Sequence, residues 1–456
     1  MAAKAADTRT LAEYLVNGHW DDEGYPSHHF TGSTISVNLT GLTEAGQSLA
    51  RKAMTAWEAV ADLDFQEVAS GGQIKFDDSD VDSARTEVTG IEDGTINSAT
   101  INIGTNYLES GAKVGDYAFR TYIHELGHAL GLGHAGTYGV NANYDEALFK
   151  NDSWQQTVMS YFDQQENTDV KLDKAHPVTP MMADIMAIQK MYGAATGGPT
   201  GGHTRYGVDS NINSYLNDFF GSKTGSLAAD AMTIYDAGGI DTIDFSNDTK
   251  AQDVKLAGGA FSNVYGLRGN LGIAHGTVIE NFVAGSGWDH VLGNDAGNRI
   301  RLGAGADEAK GLGGNDELLG EAGSDRLEGG TGADRLTGGD GADQLFGGAG
   351  GDMLVGGRQG DRLEGGLGND RLSGGFGADR FVFANGHDTV TDFQNDQDTV
   401  VLDDALWGGR DLASGKVLAF ASVDGDGILF KFGNDHTLRI ENVTNIAALG
   451  DDLFIV

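Results

Sequence analysis

The chain has 456 residues, enough for two or three domains with cores of their own. Asp and Glu number 67 against 30 Lys and Arg, and a net charge of −37 argues against nucleic acid or an anionic membrane as partner. Cysteine is absent, which excludes disulfide scaffolding and thiol chemistry, and no run of 18 apolar residues is available to span a membrane.

Met1 to Thr10 lacks an apolar core, so no ordinary secretory signal peptide is predicted. Leu11, Tyr14 and Leu15 predict a short amphipathic helix from about Thr8 to Asn17, stopped by Gly18. Ile35, Val37 and Leu39 alternate, as a half-buried strand does. Glu44 to Asp62 carries one apolar stripe and reads as a strong helix. Phe65 to Val68 and Gln73 to Phe76 read as strands. Ala99 to Ile103 alternates again and is the candidate edge strand for an extended peptide, with an ordinary sheet edge as the alternative.

Next comes His124-Glu125-Leu126-Gly127-His128-Ala129-Leu130-Gly131-Leu132-Gly133-His134, the pattern H-E-x-x-H-x-x-G-x-x-H. Two histidines four apart on a helix project from one face. Imidazole nitrogens suit zinc, which in a catalytic site takes three protein ligands and leaves a fourth position for water. Glu125, beside the first ligand, is placed to act as general base on that water. Gly131 lets the helix end and the chain turn back, bringing His134 round as third ligand. The pattern is identified as the metzincin signature. A buried helix with hydrogen-bonded histidines is the plainer reading, and Thr157-Val158-Met159-Ser160-Tyr161 downstream counts against it. Met159 is expected in a tight turn beneath the metal, and Tyr161 within reach of zinc or substrate. Pro180 precedes a helix from Met181 to Tyr192, closed by Gly193. Ala194 to Gly202 reads as a linker.

From about Ser286 aspartates recur every nine residues: Asp307, Asp316, Asp325, Asp334, Asp343, Asp352, Asp361, Asp370 and Asp379, with Asp289 and Asp388 in phase. Five copies are strict G-G-x-G-x-D, placing Gly330 and Gly332, Gly339 and Gly341, Gly348 and Gly350, Gly366 and Gly368, and Gly375 and Gly377 before their aspartates. An apolar residue usually follows two positions after each Asp, from Leu318 to Phe381. This nonapeptide is the calcium-binding RTX repeat of parallel β-helical coils. Each unit should be a glycine turn plus a very short strand, its apolar side chain stacked inward and its aspartate facing a calcium ion that relieves repulsion down the column. Asn298, Ala309 and Gln359 depart from the pattern. Strands after Phe381 should cap the coil, and the terminal Asp451-Asp452-Leu453-Phe454-Ile455-Val456 reads as a folding cap or an uncleaved export signal.

The zinc motif, Met159-Ser160-Tyr161 and the repeats together resemble the serralysin family, secreted metalloproteases of Gram-negative bacteria. Ala183 to Gly193, Asp236 to Thr242 and Gly276 to Asn281 are similar to the family's last protease helix and its junction with the roll. The resemblance implies an α+β metzincin protease domain followed by an all-β calcium-binding parallel β-roll. It implies that His124, His128 and His134 bind zinc, that Glu125 is the base, and that Tyr161 ligates zinc at rest and swings away to stabilise the oxyanion. It assigns junction calcium to Arg205, Gly207, Asp209, Asp236, Gly238, Asp241 and Glu280. The domains expected are 1–17 as N-terminal helix and propeptide, 18–200 as protease, 201–285 as junction, 286–390 as repeats, and 391–456 as β cap with export signal. The expected partners are protein and peptide substrates, a type I exporter and a periplasmic proteinaceous inhibitor, for a secreted monomer. Ala135 stands where the family usually has proline. The rival reading is a non-catalytic RTX binding or surface protein with a protease-like domain.

Overall fold

The computed structural model of the chain describes all residues except 1–3, 5, 111, 140, 141, 171, 221–226, 228, 410 and 411, and the side chains of 110, 199, 218 and 434. Residues 1–3 and 5 of the expected propeptide are thus outside the described residues. The chain divides into two compact units. The first is Met1–Asp241 with Gly258–Val278, and the second is Thr242–Ala257 with Ile279–Val456. Among the described residues no helix is long and apolar enough to cross a membrane.

The first unit opens on helix α1 (Thr8–Glu13), which does not stop at Gly18. A π-helical turn (Tyr14–Gly18) leads into α2 (His19–Glu23), which ends at Gly24 with φ of 78°. Gly18 serves packing instead, because a Cβ there would lie 2.3 Å from the Tyr14 ring. Leu11 and Leu15 are fully buried, so from Thr8 onward the segment read as a propeptide is part of the unit's core.

A five-stranded sheet follows, built from β1 (Thr34–Gly41), β2 (Asp64–Glu67), β3 (Ile74–Asp77), β4 (Ala84–Glu92) and β5 (Thr95–Ile103) in the order β2-β1-β3-β5-β4. All pairs are parallel except β4 with β5. The expectation for Ala99–Ile103 is therefore corrected: β5 lies between β3 and β4, and the edges are β2 and β4. The alternation in β5 reflects burial of Ala99, Ile101 and Ile103, and a local pattern does not reveal which strand has a neighbour missing. Helix α3 (Glu44–Glu58) is shorter than its apolar stripe, and it packs on α4 (Tyr117–Ala129). Helix α5 (Met182–Tyr192) follows. Residues 194–202 are not a bare spacer: Ala194 bridges Ala61, and Gly198–Thr200 form a 3-10 turn.

In the second unit, strands pair in parallel with the strand eighteen residues on, so two nonapeptides make one coil. Leu327 sits beside Leu345 and Leu345 beside Leu363 on one sheet, Leu336 beside Leu354 and Leu354 beside Leu372 on the other. These leucines are at most 1% exposed, the inward column expected. The register explains the glycines: at Gly332, Gly341, Gly350 and Gly368 a Cβ would lie within 1.7 Å of the carbonyl oxygen of the coil before. Strands Ala421–Asp424, Gly427–Lys431 and Thr437–Ile440 close one sheet, and Leu453–Ile455 pairs with Thr399–Leu402 on the other.

Candidate metal centre

Helix α4 carries Ile123, Leu126 and Ala129 into the core, all at 0% exposure, which turns His124, Glu125 and His128 to the opposite side. Leu130 ends the helix, and Gly131 adopts φ of 110°. Only glycine fits there twice over, because a Cβ would also lie 2.0 Å from the His28 carbonyl oxygen. The turn brings His134 back to the helix.

The three rings meet at their Nε2 atoms. His128 Nε2 lies 3.1 Å from that of His124 and 2.9 Å from that of His134. Three nitrogens bound tetrahedrally to one zinc at its usual bond length sit roughly 3.3 Å apart, so the spacing fits. The proton count fits as well. His124 Nδ1 donates to the Val158 carbonyl at 2.7 Å and His128 Nδ1 to that of Leu132 at 2.8 Å, which leaves both Nε2 atoms as bare lone pairs. Burial, and then the neighbouring histidines, hold His124 and His134 well below the usual imidazole range, and burial takes His128 down to about 4. Neutral imidazoles with converging lone pairs are what a cation requires.

Met159 is fully buried against α4, its Sδ so close to Gly127 that a Cβ there would be 2.7 Å away. Asp184 of α5 holds the turn, accepting from Thr157 Oγ1, from Val158 N at 2.8 Å and from Met181 N at 2.8 Å. Arg120, inside α4, donates to the carbonyls of Val158 at 3.0 Å and Ser160 at 2.6 Å, its guanidinium over the Trp154 ring. Burial pushes the Asp184 carboxyl up to about 7. Neither residue was assigned a role from sequence, although a lone acid or base in an otherwise apolar helix is a usable signal.

Glu125 is buried beside the triad, and burial raises its carboxyl to about 7. Thr86 Oγ1, on edge strand β4, lies 2.8 Å from Glu125 Oε2 and works the other way, favouring the charged form. No sequence pattern marked Thr86. The Tyr161 ring lies 4.5 Å from that of His134 and 6.0 Å from that of His124. Burial and the Glu125 charge raise its hydroxyl to about 12, so it stays a donor.

In the roll, each aspartate from Asp307 to Asp379 accepts, through Oδ1, the backbone N–H of the residue eighteen before it, as Asp343 does from Asp325 at 2.8 Å. Asp289 accepts from Gln252 N. The Oδ2 atoms of Asp289, Asp307, Asp316, Asp325, Asp334, Asp343, Asp352, Asp361, Asp370 and Asp379 are buried without a partner. A column of orphaned carboxylate oxygens suits a hard, oxygen-seeking cation. The in-phase Asn298 differs: its amide donates to the carbonyl of Glu280 and to Asn294 Oδ1. Gln359 takes over a glycine conformation at φ of 67°. Gly330, Gly339, Gly348, Gly366, Gly375 and Gly377 all have positive φ.

Of the junction residues, Asp236 and Asp241 come together in the first unit. Asp236 accepts from Tyr206 Oη and Gly238 N, and Asp241 from Thr204 N; burial raises both, Asp241 to about 6. Nearby, Gly207 and Asp209 have positive φ, and Arg205 Nε donates to the Val208 carbonyl. Glu280 belongs to the second unit.

A zinc-type histidine triad with its buried glutamate, followed by a nonapeptide roll, defines a metallopeptidase-type unit joined to an RTX module. Comparison with known proteins makes this specific. Residues 199–413 match the family Peptidase M10 serralysin C terminal, and residues 94–173 match Peptidase M66. Serralysin C of Dickeya chrysanthemi is 42% identical over 177 residues, 38% of this chain and 36% of that protein. Metallopeptidase AprA of Pseudomonas marginalis is 34% identical over 320 residues, 65% and 66% of the two chains. Serralysin of Proteus mirabilis is 36% identical over 283 residues, 57% and 56%. Over these stretches the chain is similar to the serralysins. Its alignments span from about a third to just under two thirds of these relatives' length.

Proposed function

We propose that the chain is a secreted zinc endopeptidase of broad specificity whose roll folds on calcium after type I export. The observation that carries the reading is the meeting of three Nε2 atoms, those of His124 and His128 freed of their protons by Nδ1–carbonyl bonds, beside a buried carboxylate. His124, His128 and His134 would hold the zinc. Bound there, zinc supplies a Lewis acid for the scissile carbonyl and a water of lowered pKa. Glu125 takes the proton from the attacking water and returns it to the leaving amine. The Tyr161 hydroxyl donates to the developing oxyanion. Edge strand β4 offers its free backbone to an extended peptide. A ligand that binds only the folded roll stabilises it by RT ln(1 + [L]/Kd), so low cytosolic and high external calcium would time its folding.

The test is casein hydrolysis in millimolar calcium, comparing the chain with Glu125→Ala at matched zinc content. Loss of about a hundredfold or more in the variant alone is expected. Chelating the zinc should abolish activity and leave the first unit folded. Equal activity in both chains would remove Glu125 from the site, and no activity in either would favour a binding protein with a protease-like unit.

A further inference from the structure

Helix α2 and the segment from it to β1 form an arm laid against the metal centre. Its backbone is pinned to the β4–β5 turn, with His29 N donating to the Gly94 carbonyl and Ile96 N to that of His29, each at 3.0 Å. Its side chains are pinned to the zinc motif: Trp20 Nε1 donates to the Gly131 carbonyl at 2.9 Å, and the Trp20 and His28 rings lie 4.3 Å apart. Between the arm and β4 is a cavity of about 370 Å³. It is lined by His128 and His134 of the zinc motif, by Trp20, Tyr25 and His28 of the arm, and by Thr86, Val88 and Ile91 of β4.

Val88 and Ile91 are three apart, so a regular strand would face them oppositely. Gly90, at φ of 67°, breaks the alternation and lets both reach one cavity. No Asp, Glu, Lys or Arg lines the space. The location follows from strand geometry. Thr86 touches Glu125, and Val88 is two residues further, about 7 Å at strand rise. A peptide added to β4 would therefore bring to the cavity a side chain about two residues from the bond facing Glu125.

We infer that this arm-and-strand cavity is a specificity pocket that takes one uncharged aromatic or large aliphatic side chain of the substrate, close to the scissile bond. The inference rests on the peptidase reading, and its residues are Trp20, Tyr25, Val88 and Ile91.

The test uses octapeptides of alanine and glycine carrying a single Phe moved through each position. Their binding is measured on zinc-loaded Glu125→Gln protein and their cleavage on the unaltered chain. One position should favour Phe over Ala by about tenfold or more. In Ile91→Lys that ratio should fall to about threefold or less and an Asp-bearing peptide should gain. Tyr25→Ala, at a residue 59% exposed and so tolerant of change, should weaken the Phe preference without the Asp gain. Equal Phe ratios in all chains, or none anywhere, would overturn the pocket. Phe-selective binding that Ile91→Lys abolishes, with no cleavage by any chain, would keep the pocket and defeat the peptidase reading instead.

Discussion

The histidine triad of the first unit and the aspartate column of the second both present lone pairs that no protein donor meets, but they are assembled differently. The triad is held from outside by carbonyls at Val158 and Leu132, by Asp184 through the Met159 turn, and by the arm at Gly131. All but the Leu132 carbonyl come from distant parts of the chain, and none of them is the metal. The column has only itself: each aspartate is fixed by the backbone eighteen residues before it, and its second oxygen is left bare. A centre with an independent frame can lose its ion and stay folded. A coil whose repeating unit buries an unmatched carboxylate at every turn cannot do so cheaply.

The largest effect expected is therefore on the roll. Excess chelator at pH 8 should remove most of its β signal in circular dichroism, and calcium should restore it; an unchanged spectrum would break the contrast. Acidity should substitute for calcium in part. Burial raises Asp289, Asp343, Asp352 and Asp379 to about 6, Asp307, Asp316 and Asp361 to about 7, and Asp388 to about 8. Between the ordinary carboxyl pKa of about 4 and these values, the folded roll holds more protons than the unfolded chain. Its calcium-free stability should then fall as pH rises through that window. With calcium the slope should reverse, because the ion requires the deprotonated form. Denaturant midpoints at pH 5 and pH 8, with and without calcium, read both signs; a calcium-free roll more stable at pH 8 would contradict the argument.

In the first unit the expected losses are in rate and not in fold. Tyr161→Phe keeps the ring against His134 and removes one donor, so kcat should drop by about 10² to 10³. A normal kcat would take the hydroxyl out of the mechanism.

The same contrast decides what could be read without coordinates. The roll was legible because its register is written in the chain: a nine-residue period, an apolar residue two after each Asp, glycine where the carbonyl of the coil before presses. The triad was legible because helix geometry puts His124 beside His128 and Gly131 marks the turn. What supports the triad was not legible. Arg120, Asp184 and Thr86 matter through partners 26 to 40 residues away, and nothing local announces them. The edge strand was misplaced for the same reason. Ala99–Ile103 has the cleaner alternation, yet β4, half exposed and broken by Gly90, has a free edge. Gly18 read as a helix stop because propensity was the only guide, whereas its role is to admit the Tyr14 ring.

The smallest expected effect concerns Thr86, and it separates positioning from mere packing. Its hydroxyl stabilises the charged form of Glu125, against the burial that raises the same carboxyl. Thr86→Val keeps the shape and removes the donor. The carboxyl should then rise further, and since Glu125 works deprotonated, the acid limb of kcat/KM against pH should move up by about one pH unit, a hydrogen bond to a charge being worth roughly 1.5 kcal/mol. Well above that limb the variant should lose only a few-fold, from looser aim of the carboxylate. A structural role alone would scale the whole profile down and leave the limb where it was. A Thr86→Ser variant, which keeps the donor, should restore the limb. If Ser and Val behave alike, the bond between the edge strand and the general base has no part in tuning it.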